Sequence, residues 1–494
     1  MADKEAIEKM LDSQELDDRE DMDGQNHPES ILKSSKTMRE IVVDDQKDSY
    51  SKILVPGSDR EAFGSCPMIR DWANVGEYPS PLQATGNVSN FVSNHETVLV
   101  DIVAHKENET VSREFVRAGP REFIAFHPKT VKACIVTCGG LCPGLNTVVR
   151  EIFFTLEKRY GVEEIYGIPY GYKGFHSKKL QIRKLTKRLV DTIHYKGGTF
   201  LGSSRGGHDT QLITDCIERY GFRHVYIIGG DGTHRGALKI YEEIRRRGLK
   251  VALVGVPKTI DNDVPLIDKS FGFDTAVEES QRAIRSAVVE AKSGIHGIGL
   301  VKLMGRHAGW ICVYGTLSNR DVDICLVPEV PFELEGPRGL YQTIHDCIKA
   351  KGRCVIVVAE GAGMDHMQTG KEVERDPSGN VKLADIGLFL KAGINAWFSY
   401  NKIEVNLKYI DPTYMIRTVP PNGGDSLTCA ILAQNAVHGA MAGFSGFSAG
   451  LINTHNVLIP IETLNNTKPK TIHEGSRMWQ RVLDSTGQPS LRSH

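Results

Sequence analysis

The sequence predicts an α/β protein with two Rossmann-like lobes, each a mainly parallel sheet flanked by helices, and an active site in the cleft between them. From Val131 onward, short apolar runs alternate with helical stretches, a pattern typical of parallel strands joined by covering helices. The number of these runs indicates two lobes rather than one. The runs end at glycines or polar residues, where sheets of this kind bind ligands.

Six apolar runs are predicted strands, in chain order KACIVTC, VYIIGG, VALVGV, GLVKLMG, DICLVPE and CVIVVAE. Helices are expected between them, for example at 147–159 and 236–247. Residues 1–80 are polar and acidic with little apolar periodicity, which predicts a disordered or loosely docked extension with a short helix near 6–16. A leading segment at 81–130 and a C-terminal tail at 469–494 complete the chain.

Composition argues against several classes of protein. The 494 residues carry 60 basic and 61 acidic side chains, a formal net charge of -1, so we expect no nucleic-acid binding driven by bulk charge. No apolar stretch has the ~18 residues that a membrane span needs. The acidic amino terminus resembles neither a signal nor a transit peptide. We therefore expect a cytoplasmic protein that binds no membrane.

The 10 cysteines lack paired metal-ligand spacing, which favours reduced, mostly buried thiols. Cys134, Cys138 and Cys142 have a regular spacing that could suggest a metal or redox site. A strand followed by a loop would point these three thiols in different directions, so a structural role is favoured.

The segment PKTIDND places a lysine, a hydroxyl and two acids just after the predicted strand VALVGV. Asp261 is the candidate catalytic base, because a carboxylate is expected at the end of such a strand. The alternative is that Thr259, Asp261 and Asn262 cap a helix or form an Asx turn, which is the commoner role of these residue types.

Two glycine loops follow other predicted strands. In the first, Gly139 and Gly140 could bring the backbone close to a phosphate or simply form a tight turn, and neither GxGxxG nor GK[ST] is present. The second, GGDGT, places Asp231 between glycines and Thr233 where it could cap the next helix. A carboxylate there could hold Mg²⁺ against phosphate oxygens, which points to phosphoryl transfer.

Charged side chains occur near other strand ends. Arg205 lies in GGTFLGSSRGG and Arg306 in LVKLMGRHAGW, where anions are expected to bind, although solvated loop charges are the usual alternative. Glu360 ends CVIVVAE and could accept hydrogen bonds from sugar hydroxyls. Tyr414 and Arg417 are neighbours if their segment is helical and could bind a phosphate ester, with a surface pair as the alternative.

Together, GGLCPGLN, GGTFLGSSR, GGDGT, PKTIDND, MGR, VAEGAG and YMIR occur in the order found in 6-phosphofructokinases. The resemblance covers about 118–458 and is closest to the plant-type ATP-dependent branch. It implies Mg-ATP and fructose 6-phosphate as substrates, a homo-oligomer that is a tetramer, and allosteric control. It also implies a nucleotide-binding lobe at 131–272 plus 417–468 and a sugar-phosphate lobe at 273–416.

In that family, the residue matching Asp261 takes the proton from the 1-hydroxyl of fructose 6-phosphate. By the same resemblance, Asp231 binds Mg²⁺ and Arg205 offsets charge on the transferred phosphoryl group. The positions that match nucleotide contacts are Gly140, Arg205, Gly206, Gly230, Asp231, Gly232 and Thr233. The positions that match sugar-phosphate contacts are Thr259, Ile260, Asp261, Met304, Gly305, Arg306, Glu360, Tyr414, Met415, Ile416 and Arg417.

Several positions depart from the bacterial pattern. Leu141 replaces an acid and Lys258 a glycine, while Gly297, Lys408 and Phe154 stand where bacterial members carry arginines. The last of these belongs to the bacterial effector site, so regulation as in bacteria is not expected.

Two positions, Gly232 and Lys258, bear on the identity of the phosphoryl donor, and they point to different donors. Members that use pyrophosphate have an acid at the position of Gly232 and a lysine at that of Lys258, and this chain has only the lysine. A glycine leaves room for the ATP α-phosphate, so ATP is the expected donor. A pyrophosphate-dependent enzyme and a non-catalytic regulatory subunit remain alternatives, and an NAD or lipid kinase would not explain PKTIDND and MGR.

Overall fold

The computed structural model describes residues 66–492 except 85, 87, 89, 103–112 and 368–382. Residues 1–65, with the short helix predicted at 6–16, lie outside this described part.

Residues 66–80, which the sequence assigned to the extension, pack against the body of the protein. Ile69 is fully buried and its N–H donates to the Gly443 carbonyl at 2.9 Å. The Trp72 indole N–H donates to the Leu249 carbonyl at 3.2 Å. Isolated apolar anchors of this kind produce no periodicity, which is why composition alone extended the predicted disorder to residue 80.

The described strands form three sheets. In chain order they are β1 Tyr78–Pro79, β2 Thr97–Leu99, β3 Glu114–Arg117, β4 Phe123–Ile124, β5 Lys132–Thr137, β6 Glu164–Ile168, β7 Arg183–Lys184, β8 His224–Gly229, β9 Ala252–Pro257, β10 Gly297–Leu303, β11 Ile324–Leu326, β12 Arg353–Ala359, β13 Asn406–Ile410, β14 Phe447–Ile452 and β15 His455–Pro460. All six predicted strands are confirmed: they are β5, β8, β9, β10, β11 and β12.

The larger sheet has the order β2-β3-β15-β14-β9-β8-β5-β6-β7. Its centre, from β14 to β6, is parallel, and the outer strands pair antiparallel. Every residue of β8 and β9 is buried, because helices cover both faces of the parallel centre.

The second sheet has the order β11-β12-β10-β13 and is parallel throughout. All seven residues of β10 are buried. The predicted α/β class with two mainly parallel sheets is therefore confirmed. The remaining pair, β1 and β4, is a short antiparallel ribbon.

The described helices alternate with these strands. They are α1 Pro81–Ala84, α2 Leu145–Phe154, α3 Lys187–Val190, α4 Thr210–Tyr220, α5 Asp231–Arg246, α6 Phe273–Ser293, α7 Trp310–Asn319, α8 Leu340–Lys351, α9 Ile386–Tyr400, α10 Thr413–Arg417, α11 Gly423–Met441, α12 Ile461–Asn466 and α13 Arg477–Thr486. The helix predicted at 147–159 is α2, which continues as π-helical turns at Thr155–Tyr160. Among the residues described, no helix has both the length and the apolar character of a membrane span.

Candidate active site

A cavity of about 560 Å³ is lined by residues that closely follow β5, β8, β9 and β10, together with Tyr172 and the loop before α4 that carries Arg205. Because β10 belongs to the four-stranded sheet and the other three strands to the nine-stranded sheet, the cavity lies between the two lobes, as predicted. The predicted site residues that line it are Gly140, Arg205, Gly206, Gly230, Asp231, Gly232, Thr233, Lys258, Asp261 and Arg306.

The first glycine loop connects β5 to α2 and is held by hydrogen bonds from distant segments. Gly139 has a φ of 83°, a conformation that side chains rarely adopt, and its carbonyl accepts from Ser203 Oγ at 2.6 Å. The Lys258 ammonium donates to the Gly140 carbonyl at 2.7 Å. This ammonium is buried, and burial lowers its pKa. A cation is thus held between two strand-end loops, at one edge of the cavity.

The second glycine loop leads directly into α5, which begins at Asp231. Its N-cap is Gly230, with no side-chain cap, and the Thr233 N–H donates to the Gly230 carbonyl at 2.9 Å. The prediction that Thr233 caps the helix is therefore wrong, because the helix starts two residues earlier. Amides of the first helical turn lack carbonyl partners within their own helix, so the start of α5 favours an anion.

The PKTIDND segment follows β9 and combines structural and reactive groups. The Asp261 N–H donates to Thr259 Oγ1 at 3.1 Å, and Asn262 Oδ1 accepts from the Ser270 N–H at 3.1 Å. The structural alternative thus describes Thr259 and Asn262, which shape the turn. It does not explain the Asp261 carboxylate, whose buried Oδ1 has no hydrogen-bond partner within the described part of the chain. No helix begins at this turn, since the next one starts at Phe273.

Three carboxylates meet beside this turn. Burial raises the pKa of Asp261 well above its usual range, and the nearby Asp263 and Glu360 raise it further, while the backbone of Arg306 acts in the opposite direction. Burial also raises the pKa of Asp263, and the charge of Asp231 adds to this effect. A set of carboxylate oxygens is the chemistry that Mg²⁺ prefers, so Asp231 and Asp263 are the residues that could hold this ion.

The segment after β10 lines the cavity through Arg306 and His307, and the end of β12 lies beside this segment. The Glu360 N–H donates to the Leu303 carbonyl at 2.9 Å, and the Gly361 N–H donates to the Gly305 carbonyl at 3.1 Å. These bonds bring Arg306 beside Glu360. Burial raises the pKa of the Glu360 carboxyl, and Arg306, Lys302 and Arg417 act in the opposite direction. Positive charge therefore surrounds this carboxylate.

The YMIR segment forms α10, so the prediction that Tyr414 and Arg417 are neighbours on a helix is confirmed. The Arg417 guanidinium carbon lies 4.7 Å from the centre of the Tyr414 ring. Tyr414 and Met415 are 72% and 71% exposed, whereas Ile416 is buried in the core. Only the backbone of Ile416 could therefore reach a ligand.

Nine predicted residues do not line the cavity: Thr259, Ile260, Met304, Gly305, Glu360, Tyr414, Met415, Ile416 and Arg417. Arg417 is nevertheless close to the first glycine loop, because a Cβ on Gly140 would lie 3.9 Å from Arg417 Nη1. Gly139, which the sequence placed in the first glycine loop, also lines the cavity. The structure adds cavity residues to which sequence reasoning gave no phosphate or sugar role: Cys138, Tyr172, Ser204, His208, Arg235, Asp263 and His307. Asp263 had a visible signal, since it is the second acid of PKTIDND.

A further residue found only in the structure is Lys302, the last but one residue of β10. Its ammonium pairs with Asp385 at 2.8 Å and with Asp411 at 2.9 Å. Asp411 in turn accepts a hydrogen bond from the Thr413 hydroxyl at 2.6 Å. This chain of contacts fixes the start of α10 to the second sheet.

The three cysteines with regular spacing do not form a metal site. Cys134, Cys138 and Cys142 are all buried, and Cys142 Sγ donates to the Phe271 carbonyl at 3.3 Å. Among the residues described, the one group of three metal-binding side chains lies elsewhere, at Asp323, Cys347 and Cys354.

Known proteins resemble this chain over most of its length. The phosphofructokinase family model matches residues 132–440. ATP-dependent 6-phosphofructokinase 7 of Arabidopsis thaliana is 54% identical over 444 residues, which are 89% of this chain and 91% of the relative. The chloroplastic ATP-dependent 6-phosphofructokinase 4 of the same plant is 53% identical over 425 residues, which are 85% of this chain and 79% of that relative.

A solved structure supports the same fold. Pyrophosphate-dependent phosphofructokinase from Nitrosospira multiformis has a TM-score of 0.59 at 18% identity, over 73% of this chain and 93% of that chain. The family match runs from β5 into α11 and includes every strand end that lines the cavity. This chain therefore belongs to the phosphofructokinase family.

Proposed function

We propose that this protein transfers the γ-phosphoryl group of Mg-ATP to the 1-hydroxyl of fructose 6-phosphate, giving fructose 1,6-bisphosphate and ADP, a committed step of glycolysis. The observation that carries the proposal is one cavity that brings Asp261 and Asp231, which follow parallel strands, together with Arg205 of the loop before α4. The names of the two Arabidopsis relatives support the donor and the acceptor.

Asp261 is the proposed general base. A base must be unprotonated and close to the hydroxyl that it deprotonates. Its buried Oδ1 has no hydrogen-bond partner among the described residues, so a substrate hydroxyl could supply one. Burial and the charges of Asp263 and Glu360 raise the pKa of Asp261, which strengthens it as a proton acceptor once ionised, and the Arg306 backbone hydrogen bond acts in the opposite direction. Arg205 is the proposed cation that offsets charge on the phosphoryl group during transfer.

The proposed nucleotide site combines both glycine loops with Arg205 and Gly206. Asp231 is the proposed ligand of Mg²⁺, and its charge raises the pKa of the nearby Asp263. The metal, when bound, would neutralise charge on the phosphate oxygens of ATP. The amides at the start of α5 and the Lys258 ammonium are the groups of this chain that favour phosphate beside it.

The proposed acceptor site adjoins the donor site at the segment after β9 and near the first glycine loop, where Arg417 lies. It comprises Thr259, Ile260, Met304, Gly305, Arg306, Glu360, Tyr414, Met415, Ile416 and Arg417. A guanidinium binds a phosphate ester through paired, charge-assisted hydrogen bonds, so Arg417 is assigned to the 6-phosphate. Glu360 is assigned to sugar hydroxyls.

ATP rather than pyrophosphate is the proposed donor. A Cβ on Gly232 would meet only Arg235 Nη2, at 3.7 Å, so the glycine leaves open space at the start of α5. The Lys258 ammonium bonds the Gly140 carbonyl in the first glycine loop, so its presence is compatible with either donor.

A coupled assay that detects fructose 1,6-bisphosphate tests this proposal, with ATP or pyrophosphate offered separately at saturating Mg²⁺. We expect turnover with ATP and little or none with pyrophosphate. Faster turnover with pyrophosphate would contradict the donor assignment. No turnover with either donor, from protein that binds both ligands, would instead indicate a non-catalytic regulatory subunit.

The wider setting of the enzyme is also proposed. We expect a homotetramer under allosteric control in the cytoplasm, with the lobes divided at 272/273 and 416/417. Light scattering in solution tests the oligomeric state. Imaging of a fluorescent fusion tests the location, where chloroplast signal would match the chloroplastic relative instead.

A further inference from the structure

A second cavity, of about 380 Å³, lies at the end of α8. It is lined by Cys347 together with Lys351 and Asp323, and the turn after α13 forms its other side. All cysteines of the chain are buried except Cys347, which is half-buried. The cavity therefore gives solvent and small molecules access to one thiol.

A second thiol lies directly behind this one. Cys354, near the start of β12, is buried, and its Sγ lies within 4.8 Å of both Cys347 Sγ and a carboxylate oxygen of Asp323. Cys347 Sγ also donates to the Arg353 carbonyl at 3.4 Å, which holds it beside the start of the strand. A disulfide needs a sulfur–sulfur distance of about 2.05 Å. To reach this distance, the Cys347 side chain, in the last turns of α8, must rotate towards Cys354.

The surroundings distinguish the two thiols chemically. The hydrogen bond from Cys354 lowers the pKa of Cys347, and the Lys351 ammonium acts in the same direction, while burial and Asp323 act against them. The pKa of Cys354 is raised mainly by its hydrogen bond with Cys347, and burial raises it further. Thiolates rather than thiols attack disulfides, so Cys347 is the attacking sulfur and Cys354 the second one.

A bound metal is a poorer explanation of this group. One oxygen of Asp323 accepts from the Lys351 ammonium at 2.6 Å, and the other accepts from the Val355 N–H at 2.8 Å. Both oxygens already have donors, and a neighbouring ammonium opposes a second cation.

We propose that Cys347 and Cys354 form a thiol-modification site that reacts with a small disulfide such as oxidised glutathione and becomes an internal disulfide. The Cys347 thiolate attacks one glutathione sulfur, the glutathione S–S bond breaks, and one glutathione leaves as a thiolate that takes up a proton. Cys354 then loses its proton and attacks the sulfur of Cys347, releasing the second glutathione. Two protein thiols are oxidised and one disulfide is reduced to two thiols.

Peptide mapping of the full chain tests the proposal. The reduced protein is incubated with oxidised glutathione, denatured, alkylated and digested with trypsin. Cleavage after Lys349, Lys351 and Arg353 separates the two cysteines into different peptides. We expect the wild type to lose both thiols and to yield these peptides joined by a bond that a reductant breaks.

Three variants sharpen the test. Cys354→Ser should retain glutathione on Cys347, whereas Cys347→Ser should give neither the adduct nor the link. Cys216→Ser, a matched change at a buried cysteine of α4, should leave the link intact. Unlinked wild-type thiols, or glutathione that remains on Cys347 in the wild type, would overturn the proposal. So would tight binding of zinc alone that both serine variants at this site abolish, since that outcome indicates a metal site.

Discussion

The two sides of the active-site cavity differ in how far the protein itself organises them. The proposed donor side comprises the loops after β5 and β8 with Lys258, and the proposed acceptor side comprises Thr259 and Ile260, the ends of β10 and β12, and α10, with Asp261 between the two. On the donor side, Lys258 is buried and bonds the first glycine loop at 2.7 Å. On the acceptor side, Tyr414 is 72% exposed, and Arg417 stacks on that same ring.

Unsatisfied polar atoms show what each side lacks. Asp261 Oδ1 and Arg417 Nε are both buried and have no hydrogen-bond partner among the described residues. Buried polar atoms are usually paired, and exceptions often mark sites of chemistry or binding. The proposed base between the two sides therefore lacks a partner, and so does the acceptor-side cation assigned to the phosphate ester. The comparison predicts that changes at Asp261 and on the donor side alter turnover, whereas acceptor-side changes alter sugar binding.

Asp261→Asn should have the largest effect. Loss of a general base typically lowers the rate by about 10²–10⁴-fold, so we expect kcat to fall by this factor with little change in fructose 6-phosphate affinity. Steady-state kinetics and calorimetric titration measure the two quantities. Asp484→Asn, at an exposed acid of α13, is the control and should leave both unchanged. Near-normal kcat in Asp261→Asn would remove this residue from the mechanism.

Gly232→Asp tests the donor side next. A carboxylate near the ATP phosphates introduces like-charge repulsion of several kcal/mol at short range, so kcat/KM for ATP should fall by about 10²-fold or more. The fold should tolerate the change, since Arg235 is the nearest neighbour and an acid in the first helical turn is favourable. Gly232→Ala is the control and should stay within a few-fold of the wild type. Unchanged ATP kinetics in Gly232→Asp would show that our interpretation of this loop is wrong.

Arg417→Ala tests the acceptor side. Hydrogen bonds to a charged group contribute about 1.5–3 kcal/mol, so the dissociation constant for fructose 6-phosphate should rise by about 10–100-fold. Binding of ATP should change far less. Titration of each ligand decides, with Arg477→Ala at the exposed start of α13 as the control. Equal losses for the two ligands would contradict the division into donor and acceptor sides.

The sequence predicted the donor side better than the acceptor side for a physical reason. Apolar runs and the polar residues after them are local features, and all six predicted strands and most donor-side residues were found in this way. The start of α5 was misjudged because Gly230 caps it through an extended backbone, with φ −86° and ψ −165°, which no side chain announces. Local patterns also could not separate Ile416, which is buried, from its exposed neighbours.

Contacts between distant segments could not be predicted from local patterns at all. Lys302 looks like an ordinary strand residue, yet it joins Asp385 and Asp411 across the second sheet. His208 and Tyr172 meet at the cavity with ring centres 5.2 Å apart, although loops and strands separate them in sequence. Long-range packing of this kind carries no periodicity and required the structure.

The smallest expected effect concerns thermal stability, and it tests the buried Asp261 carboxylate without measuring turnover. Burial and the charges of Asp263 and Glu360 raise the pKa of Asp261, so the folded state holds this proton more tightly than the unfolded chain does. Below the ordinary carboxyl pKa of about 3.9, Asp261 is protonated in both the folded and the unfolded chain, so it does not lower the free energy of unfolding. As pH rises past that value, the unfolded chain ionises first, and the wild type loses stability until the folded-state pKa is passed. Asp261→Asn cannot ionise, so its melting temperature should exceed that of the wild type by a few degrees near neutral pH, and by less near pH 4. Melting curves across this range measure the difference, and a gap that stays constant or shrinks as pH rises would contradict a buried, destabilised carboxylate at Asp261.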